Sequence, residues 1–283
     1  MSQSEMRISV MSRQQLDIAI DWAAQEGWNP GLHDADCFYA ADPEGFLIGY
    51  LGDEPVATIS AVKYGNAFGF VGFYIVKPEY RNRGYGIQLW NAALASLQGR
   101  TIGLDGVLAQ QANYQKSGFT LAYRNIRYQG VGGGQVAASP AIVSLSTIDF
   151  DQLCEYDSRL FSEHRAMFLR CWIAQPQCTA LAILDKGRLA GYGVMRLCRT
   201  GYKIGPLFAD SAVHAEQLFS ALKAQAPAAA PVFLDTPEVN QAAVDLASRH
   251  DMTACFETAR MYTGKRPDLP LDKIFGVTTF ELG

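Results

Sequence analysis

The same order of predicted secondary-structure elements occurs twice along the 283-residue sequence, and this repeat limits the possible folds more than any other feature. A hairpin over Phe46–Leu51 and Val56–Tyr64 has its counterpart in Leu181–Leu184 and Leu189–Leu197. The matched elements stay roughly 130 to 134 residues apart, which is the constant offset that tandem copies of one unit produce. The sequence therefore predicts a mixed α/β (α+β) protein of two similar domains, each with a mostly antiparallel sheet flanked by helices.

A glycine-rich stretch separates the two copies. Residues 130–140 contain four glycines, which favour a flexible connection. We therefore predict one domain over residues 1–130, a linker over residues 131–140 and a second domain over residues 141–283. A chain of 283 residues suits two domains of ordinary size.

Composition excludes several classes of function. The formal charge of −4 argues against a nucleic-acid partner, because phosphate backbones are bound by clustered lysines and arginines; it permits a cationic substrate. The six cysteines form no C-x-x-C pair, so we expect no metal site and no disulfide framework, and a reducing cytoplasm fits best. The longest apolar stretches are strand-sized, which predicts that the chain has no membrane span.

The first copy begins with a helix, a long turn-rich loop and a run of strands. Gln14–Glu26 has apolar residues at helical spacing. Gly27–Gly45 is rich in Asn, Asp, Gly and Pro and predicts a loop, and loops of that length in compact domains are usually functional. Three strands follow, of which the last covers Phe68–Val76, and Phe119–Tyr128 is predicted to close the copy.

The segment that carries the chemistry joins the third strand to a helix and reads Val76-Lys77-Pro78-Glu79-Tyr80-Arg81-Asn82-Arg83-Gly84-Tyr85-Gly86. A helix N-terminus offers unpaired N–H groups and a partial positive charge, which suit a diphosphate. The glycines let the backbone approach phosphate oxygens, and Arg81 and Arg83 add positive charge.

Two common nucleotide-binding patterns do not fit this segment. The Walker A pattern needs a Lys followed by Ser or Thr directly after its glycines, and neither pair follows here. The dinucleotide fingerprint needs three glycines in a strand-turn-helix unit, whereas two are present and the strand belongs to an antiparallel run. The segment therefore matches neither of these two patterns.

The pattern V-x-P-x-x-R-x-x-G-x-G resembles the coenzyme A loop of the GNAT superfamily of N-acetyltransferases. Further along, Tyr114-Gln115-Lys116-Ser117-Gly118-Phe119 resembles the Y-x-x-x-G-F ending of that superfamily's last catalytic helix. The likeness covers roughly residues 6 to 129, with order and spacing preserved. It implies acetyl-CoA as the cofactor and direct transfer of its acetyl group to a primary amine, without a covalent enzyme intermediate.

The resemblance also implies roles for individual residues. Main-chain atoms of Tyr74, Ile75 and Val76 would pair with the pantetheine arm, and N–H groups of Arg83 to Ile87 would hold the pyrophosphate. Tyr114 would donate a proton to the departing thiolate. The cofactor-binding residues expected on this basis are Tyr74, Ile75, Val76, Arg81, Asn82, Arg83, Gly84, Tyr85, Gly86 and Ile87.

The general base stays open at this point. Many GNAT proteins carry a carboxylate on the strand before the loop, but Phe68–Val76 has none. Asp105, at the end of a predicted strand, is the first candidate, followed by Asp36, His33 and Glu26. A relay of water molecules to a more distant acid is the alternative.

The acceptor site is expected in the loop at Gly27–Gly45. Trp28, His33 and Asp36 are candidates for binding an amine, because a cation is stabilised by nearby carboxylates and by aromatic faces. The acceptor would be a small-molecule amine or a peptide. A different class of function, a non-catalytic protein that senses acyl-CoA or another ligand, is the alternative, and the missing strand carboxylate is its best support.

The second copy lacks the features of the phosphate loop. At the equivalent position it reads Pro206-Leu207-Phe208-Ala209-Asp210-Ser211-Ala212-Val213, without the arginines or glycines and with an aspartate that would repel phosphate. We expect this half to keep the fold, to have lost coenzyme A binding, and to form a wall of the acceptor cleft or a homodimer surface. The whole chain resembles a bacterial subgroup of tandem GNAT proteins through Glu26-Gly27-Trp28-Asn29-Pro30-Gly31, Gly103-Leu104-Asp105-Gly106-Val107 and Arg260-Met261-Tyr262.

Overall fold

The computed structural model describes residues 6–134, 139–161 and 163–283, so residues 135–138 of the predicted linker lie outside the described residues. The first half contains β1 (Arg7–Val10), α1 (Arg13–Gln25), α2 (Asp34–Ala41), β2 (Phe46–Leu51), β3 (Glu54–Tyr64), β4 (Phe68–Val76), α3 (Tyr85–Ser96), β5 (Thr101–Val107), α4 (Gln111–Lys116) and β6 (Phe119–Val131). The second half contains β7 (Ile142–Ser144), α5 (Phe150–Phe161), α6 (Ala166–Trp172), β8 (Cys178–Asp185), β9 (Arg188–Leu197), β10 (Tyr202–Ala209), α7 (Ala212–Lys223), β11 (Pro231–Pro237), α8 (Gln241–Arg249), β12 (Thr253–Thr263) and β13 (Ile274–Gly276).

The element order of the second half repeats that of the first, which confirms the predicted tandem arrangement and the mixed α/β class. In the part of the chain that the structure describes, no helix combines the length and the apolar character that crossing a bilayer requires.

One continuous sheet of 13 strands runs through both halves in the order β1-β2-β3-β4-β5-β12-β6-β11-β10-β9-β8-β7, and β13 pairs with β10. The two halves exchange their closing strands. β12 of the second half lies between β5 and β6, and β6 of the first half lies between β12 and β11. Each half therefore completes the sheet of the other, while the boundaries at residues 131–140 stay a prediction from the sequence.

The exchange places an aspartate opposite an arginine at two equivalent positions. Arg260 on β12 faces Asp105 on β5, and Arg127 on β6 faces Asp235 on β11. Both pairs are bidentate, at 2.8 and 2.6 Å for Arg260 with Asp105 and at 2.7 Å twice for Arg127 with Asp235. All four side chains are buried, so these pairs fix the register across the junction of the two halves.

A β-bulge in β4 opens the sheet in the first half. β4 pairs with β5 only from Phe68 to Val71, and its register with β3 shifts between Gly72 and Ile75. Phe73, within the shift, has a positive φ of 48°, and its carbonyl oxygen accepts a hydrogen bond from the Thr58 hydroxyl at 2.9 Å. Because a bulge bends its strand, β4 diverges from β5 and leaves a gap in the sheet.

The corresponding gap in the second half is filled by the chain itself. β10 pairs with β11 only from Tyr202 to Ile204, and β13 then pairs with β10 at Leu207 and Phe208. The following residues, 277–283, are buried and run toward the gap of the first half, where Gly72 packs against the main-chain carbonyl of Glu281. We call residues 277–283 the tail segment.

The predicted loop at Gly27–Gly45 contains a helix, and this part of the prediction is wrong. α2 is held at its start because the Asp34 carboxylate accepts a hydrogen bond from the Gly31 N–H at 2.8 Å and pairs with Arg196 at 2.8 Å. Phe38 on α2 stacks on Trp172 of α6 with ring centroids 6.0 Å apart. The helix is therefore stabilised by contacts with the second half, which local turn propensities do not reveal.

Candidate active site

A cavity of about 550 Å³ occupies the gap between β4 and β5. This volume is in the range of sites that hold a small ligand or a cofactor arm. The first half contributes the bulged end of β4, the turn before α3, the end of β5 and Tyr114 of α4. The second half contributes Phe256 and Thr258 from β12 and Phe280 and Glu281 from the tail segment.

One end of the cavity reaches the N-terminus of α3. Gly84 is the N-cap residue with a φ of 81°, and no side chain caps this helix. A side chain in that conformation would be strained, which explains why glycine stands there. The first N–H groups of any α-helix have no intrahelical acceptor, and here no side chain takes that place, an arrangement that suits an anion. Asn82, Gly84, Gly86 and Ile87 line the cavity here, while the Tyr85 side chain is buried in the core.

The two arginines of the loop have different surroundings. Arg81 donates from Nε to the carbonyl oxygen of Val76 at 2.9 Å, and its guanidinium pairs with Glu26. Arg81 therefore holds the turn against β4. Arg83 is exposed, and its guanidinium carbon lies 5.7 Å from the centroid of the Tyr80 ring. Arg81 is also exposed and lines the cavity, whereas Arg83 lies outside the cavity lining.

An aromatic group forms the middle of the cavity. Trp90 lies between Tyr74 and Tyr114, with ring centroids 5.3 and 5.5 Å away, respectively. Burial raises the pKa of the Tyr114 hydroxyl well above its ordinary value, so this group keeps its proton at neutral pH. A Cβ atom at Gly106 would lie 2.2 Å from the Tyr114 ring, so the absence of a side chain there gives the ring its place.

Asp105 lines the cavity, but its carboxylate is already engaged. Both oxygens accept hydrogen bonds from Arg260, and Oδ1 also accepts one from Asn125 at 2.8 Å. The equivalent Asp235 makes the same bidentate pair with Arg127 in the half that lacks the phosphate loop. A role that occurs in both halves is structural, so the geometry does not favour Asp105 as the general base.

The candidate acceptor residues are separated by the fold. Trp28 and Glu26 line the cavity, and Glu26 pairs with Arg81. His33 and Asp36 lie outside the cavity lining, in contrast to the expectation from the sequence. Asp36 pairs with Arg13 on the protein surface, and His33 contacts Gln177 at 3.3 Å.

Glu281 is the site residue that the sequence did not identify. It lies in the tail segment, is 3% exposed and lines the cavity. No motif surrounds it, and its position depends on the strand exchange that brings the second half against β4. Burial raises the pKa of its carboxyl above the ordinary value, although Lys203 and Arg127 act in the opposite direction.

Comparison with known proteins agrees with the fold. Residues 14–119 match the Acetyltransferase (GNAT) family, and residues 153–276 match an Acetyltransferase (GNAT) domain. A curated relative, holothin acyltransferase of Pseudoalteromonas sp. (strain SANK 73390), is 32% identical over 96% of this chain and 92% of its own length.

Two solved structures share the tandem fold. A crystal structure from Pyrococcus horikoshii, described as that of an acetyltransferase candidate, superposes with a TM-score of 0.84 at 22% identity and covers 100% of this chain and 98% of its own. A tandem GNAT protein from the clavulanic acid biosynthesis pathway gives a TM-score of 0.63 at 16% identity, over 93% of this chain and 100% of its own. At these identities the likeness concerns the fold alone.

Proposed function

Because the chain belongs to the GNAT acetyltransferase family and is an acyltransferase, we propose that it transfers an acetyl group from acetyl-CoA to a primary amine. One observation carries the proposal. The uncapped N-terminus of α3 and the free edge of β4 border the same cavity, which also contains Tyr114. A site for the diphosphate, a slot for an extended arm and a proton donor are thereby aligned.

Different residues in and beside the cavity are assigned to the different parts of acetyl-CoA. The N–H groups at the start of α3 hold the diphosphate, and Arg83 supplies a further positive charge. Tyr74, Ile75 and Val76 have no β5 partner, so this strand edge is available to pair with the pantetheine amides, while the Val76 carbonyl oxygen also accepts from Arg81. When bound, acetyl-CoA supplies a thioester whose carbonyl carbon is open to attack by an amine.

Tyr114 acts as the proton donor to the leaving sulfur. Its hydroxyl keeps its proton at neutral pH because burial disfavours the phenolate. Among the described residues that line the cavity there is no cysteine, which supports direct attack by the amine over an acylated enzyme.

The acceptor is proposed to be a small amine that carries a flat or apolar group. Phe256 and Phe280 lie with ring centroids 6.2 Å apart beside the guanidinium of Arg127, which also donates to the carbonyl oxygen of Trp28 at 2.8 Å. These three aromatic residues form one wall of the cavity. The name of the curated relative, holothin acyltransferase, also favours a small-molecule acceptor.

The anion site is tested by placing an aspartate at Gly84. Asp tolerates the positive φ of 81° better than most residues, and there is open space around the position. We expect Gly84→Asp to weaken acetyl-CoA binding on the order of 100-fold in calorimetry, because a carboxylate about 4 Å from a phosphate charge is repelled by up to about 4 kcal/mol at an effective dielectric of about 20.

Gly99→Asp is the matched control, since Gly99 also has a positive φ, of 85°, and open space around it. This glycine follows α3 at its other end. Equal acetyl-CoA affinity in the two variants would refute the anion site.

Tyr114→Phe should retain acetyl-CoA affinity and lose turnover on the order of 100-fold, and unchanged turnover would remove Tyr114 from the chemistry.

A further inference from the structure

Glu281 differs from the other carboxylates of the cavity in having no partner. Glu26 pairs with Arg81, and Asp105 pairs with Arg260. For Glu281, the buried Oε1 atom has no hydrogen-bond partner, and no described residue donates a hydrogen bond to either oxygen. Leaving a buried carboxylate unsatisfied is costly. Because Glu281 also lines the cavity, a ligand bound there that donates to its carboxylate would offset this cost.

The cationic groups around Glu281 form hydrogen bonds with residues other than Glu281. Lys203 on β10, Arg127 on β6, Arg196 on β9 and Asp34 on α2 all influence its ionisation. Arg127 is paired with Asp235. Arg196 donates from Nε to Asp34, while its two terminal nitrogens are buried and have no hydrogen-bond partner among the described residues. Lys203 donates at 2.9 Å to the main-chain carbonyl of Asn29. These cations lower the cost of a charged Glu281 without forming a hydrogen bond to it.

The position of Glu281 is set by its contact with β4. A Cβ atom at Gly72 would lie 2.1 Å from the Glu281 carbonyl oxygen, so the tail segment passes directly over this glycine. Gly72 precedes Phe73, the residue of the bulge at which β4 leaves β5. Glu281 is therefore fixed beside the strand edge to which the pantetheine arm is assigned.

We propose that Glu281 is the catalytic residue that binds the ammonium group of the acceptor and takes its first proton. The inference rests on the proposed transfer from acetyl-CoA to an amine. The ammonium ion loses one proton to the Glu281 carboxylate, and the freed lone pair forms the C–N bond as the C–S bond breaks. The sulfur takes a proton from Tyr114, the second nitrogen proton restores the tyrosine, and Glu281 releases its proton to solvent.

The ionisation of Glu281 fits this task. Burial raises its carboxyl pKa above the ordinary glutamate value, which brings the base closer to neutral pH, where general bases work best. Turnover of an amine that is protonated at neutral pH should rise with pH through the Glu281 pKa, because the carboxylate form is required.

The first test compares two amines of different basicity. Benzylamine is protonated at neutral pH and needs a base, whereas methoxyamine is already neutral. With acetyl-CoA as the donor, Glu281→Gln should lower benzylamine turnover on the order of 100-fold and leave methoxyamine turnover nearly unchanged. Glu281→Asp should restore part of the benzylamine rate. Glu155→Gln on the exposed face of α5 is the control and should change neither rate. Equal losses with both amines would show a structural role and overturn the proposal.

The second test does not depend on turnover. In protein labelled with carboxyl-¹³C glutamate, the resonance that Glu281→Gln removes should titrate above about 4.3, the ordinary glutamate value. Benzylamine added to the enzyme saturated with coenzyme A should lower that pKa, because an adjacent ammonium stabilises the carboxylate. A resonance that titrates at or below the ordinary value, or that ignores benzylamine, would overturn the role of Glu281.

The stability of the variant provides a third readout. A carboxyl with a raised folded-state pKa contributes stability that is fully present below its unfolded pKa and is lost as the pH rises through its folded pKa. Glu281→Gln should therefore be more stable than the wild type at pH 8, and this advantage should vanish near pH 4.

Calorimetry with acetyl-CoA separates the two proposals: a wild type that does not bind acetyl-CoA refutes the proposed function, whereas binding that Glu281→Gln retains leaves only the role of Glu281 in question.

Discussion

The N-termini of α3 and α7 occupy equivalent positions in the two halves and are finished differently. At α7 the Ser211 side chain accepts a hydrogen bond from the His214 N–H at 3.2 Å, and the preceding Asp210 pairs with Lys273 at 3.1 Å. At α3 the N-cap is Gly84, and no side chain takes the place of Ser211. The second half therefore satisfies its helix end internally, whereas the first half leaves it open.

The strand edges show the same contrast. In the second half β13 pairs with β10 where that strand leaves β11, while in the first half the corresponding edge of β4 borders the cavity. Gly72 and Gly205 are equivalent glycines, and both pack against the main chain of the segment that follows β13. One stretch of chain thus closes the second site and then forms a wall of the first. The duplicated fold provides two scaffolds, and local residues decide which one becomes a site.

The largest expected effect is a loss of stability, and it concerns the buried aspartate–arginine pair that both halves contain. Asp105→Asn and Asp235→Asn each leave a buried arginine without its partner, so each should lower the unfolding free energy by about 3–5 kcal/mol in urea denaturation. Asp21→Asn, which breaks an exposed pair with Arg199, should change it by less than about 1 kcal/mol. The account also predicts similar acetyl transfer per folded molecule in both buried variants. A loss confined to Asp105→Asn would assign that residue to the chemistry.

The next largest effect concerns two equivalent glycines, and it should change turnover differently in the two halves. A Cβ atom would lie 2.1 Å from the Glu281 carbonyl oxygen at position 72 and 2.5 Å from the Thr278 carbonyl oxygen at position 205. Gly72→Ala and Gly205→Ala should each cost about 1–3 kcal/mol of stability from overpacking. Turnover should fall more in Gly72→Ala, because it moves Glu281 directly. A larger loss in Gly205→Ala would contradict the position assigned to Glu281.

The smallest effect tests the cap of α7. Ser211→Ala removes the side chain that accepts from the His214 N–H and should lower the unfolding free energy by about 1 kcal/mol. Its acetyl-CoA affinity should equal that of the wild type in a calorimetric titration. Weaker acetyl-CoA binding by this variant would mean that the end of α7 participates in the site.

Local patterns were sufficient to predict the glycine turn that leads into α3, and the repeat. The spacing of Arg81, Gly84 and Gly86 reflects backbone conformation, and α3 begins at Tyr85, between the two glycines. The absence of that pattern around Asp210 predicted the difference between the halves. Both inferences concern residues that are close together in the sequence.

The features that the sequence did not reveal depend on contacts between distant segments. α2 was predicted as a loop because its helix is fixed by Arg196 and Trp172 of the second half. Asp105 was a candidate base because the sequence does not show that Arg260, on an exchanged strand, pairs with it. Glu281 was missed for the same reason, since nothing near it in the sequence places it beside β4. Register across non-local strands is set by tertiary packing and cannot be read from local propensity.

The number of acetyl-CoA molecules bound by one chain tests the difference between the halves most directly. Isothermal titration of the whole protein should give one molecule per chain. Among the described residues, α3 is uncapped beside an open edge of β4, whereas α7 is capped and the equivalent edge of β10 is paired with β13. Two molecules per chain, or none, would contradict the account.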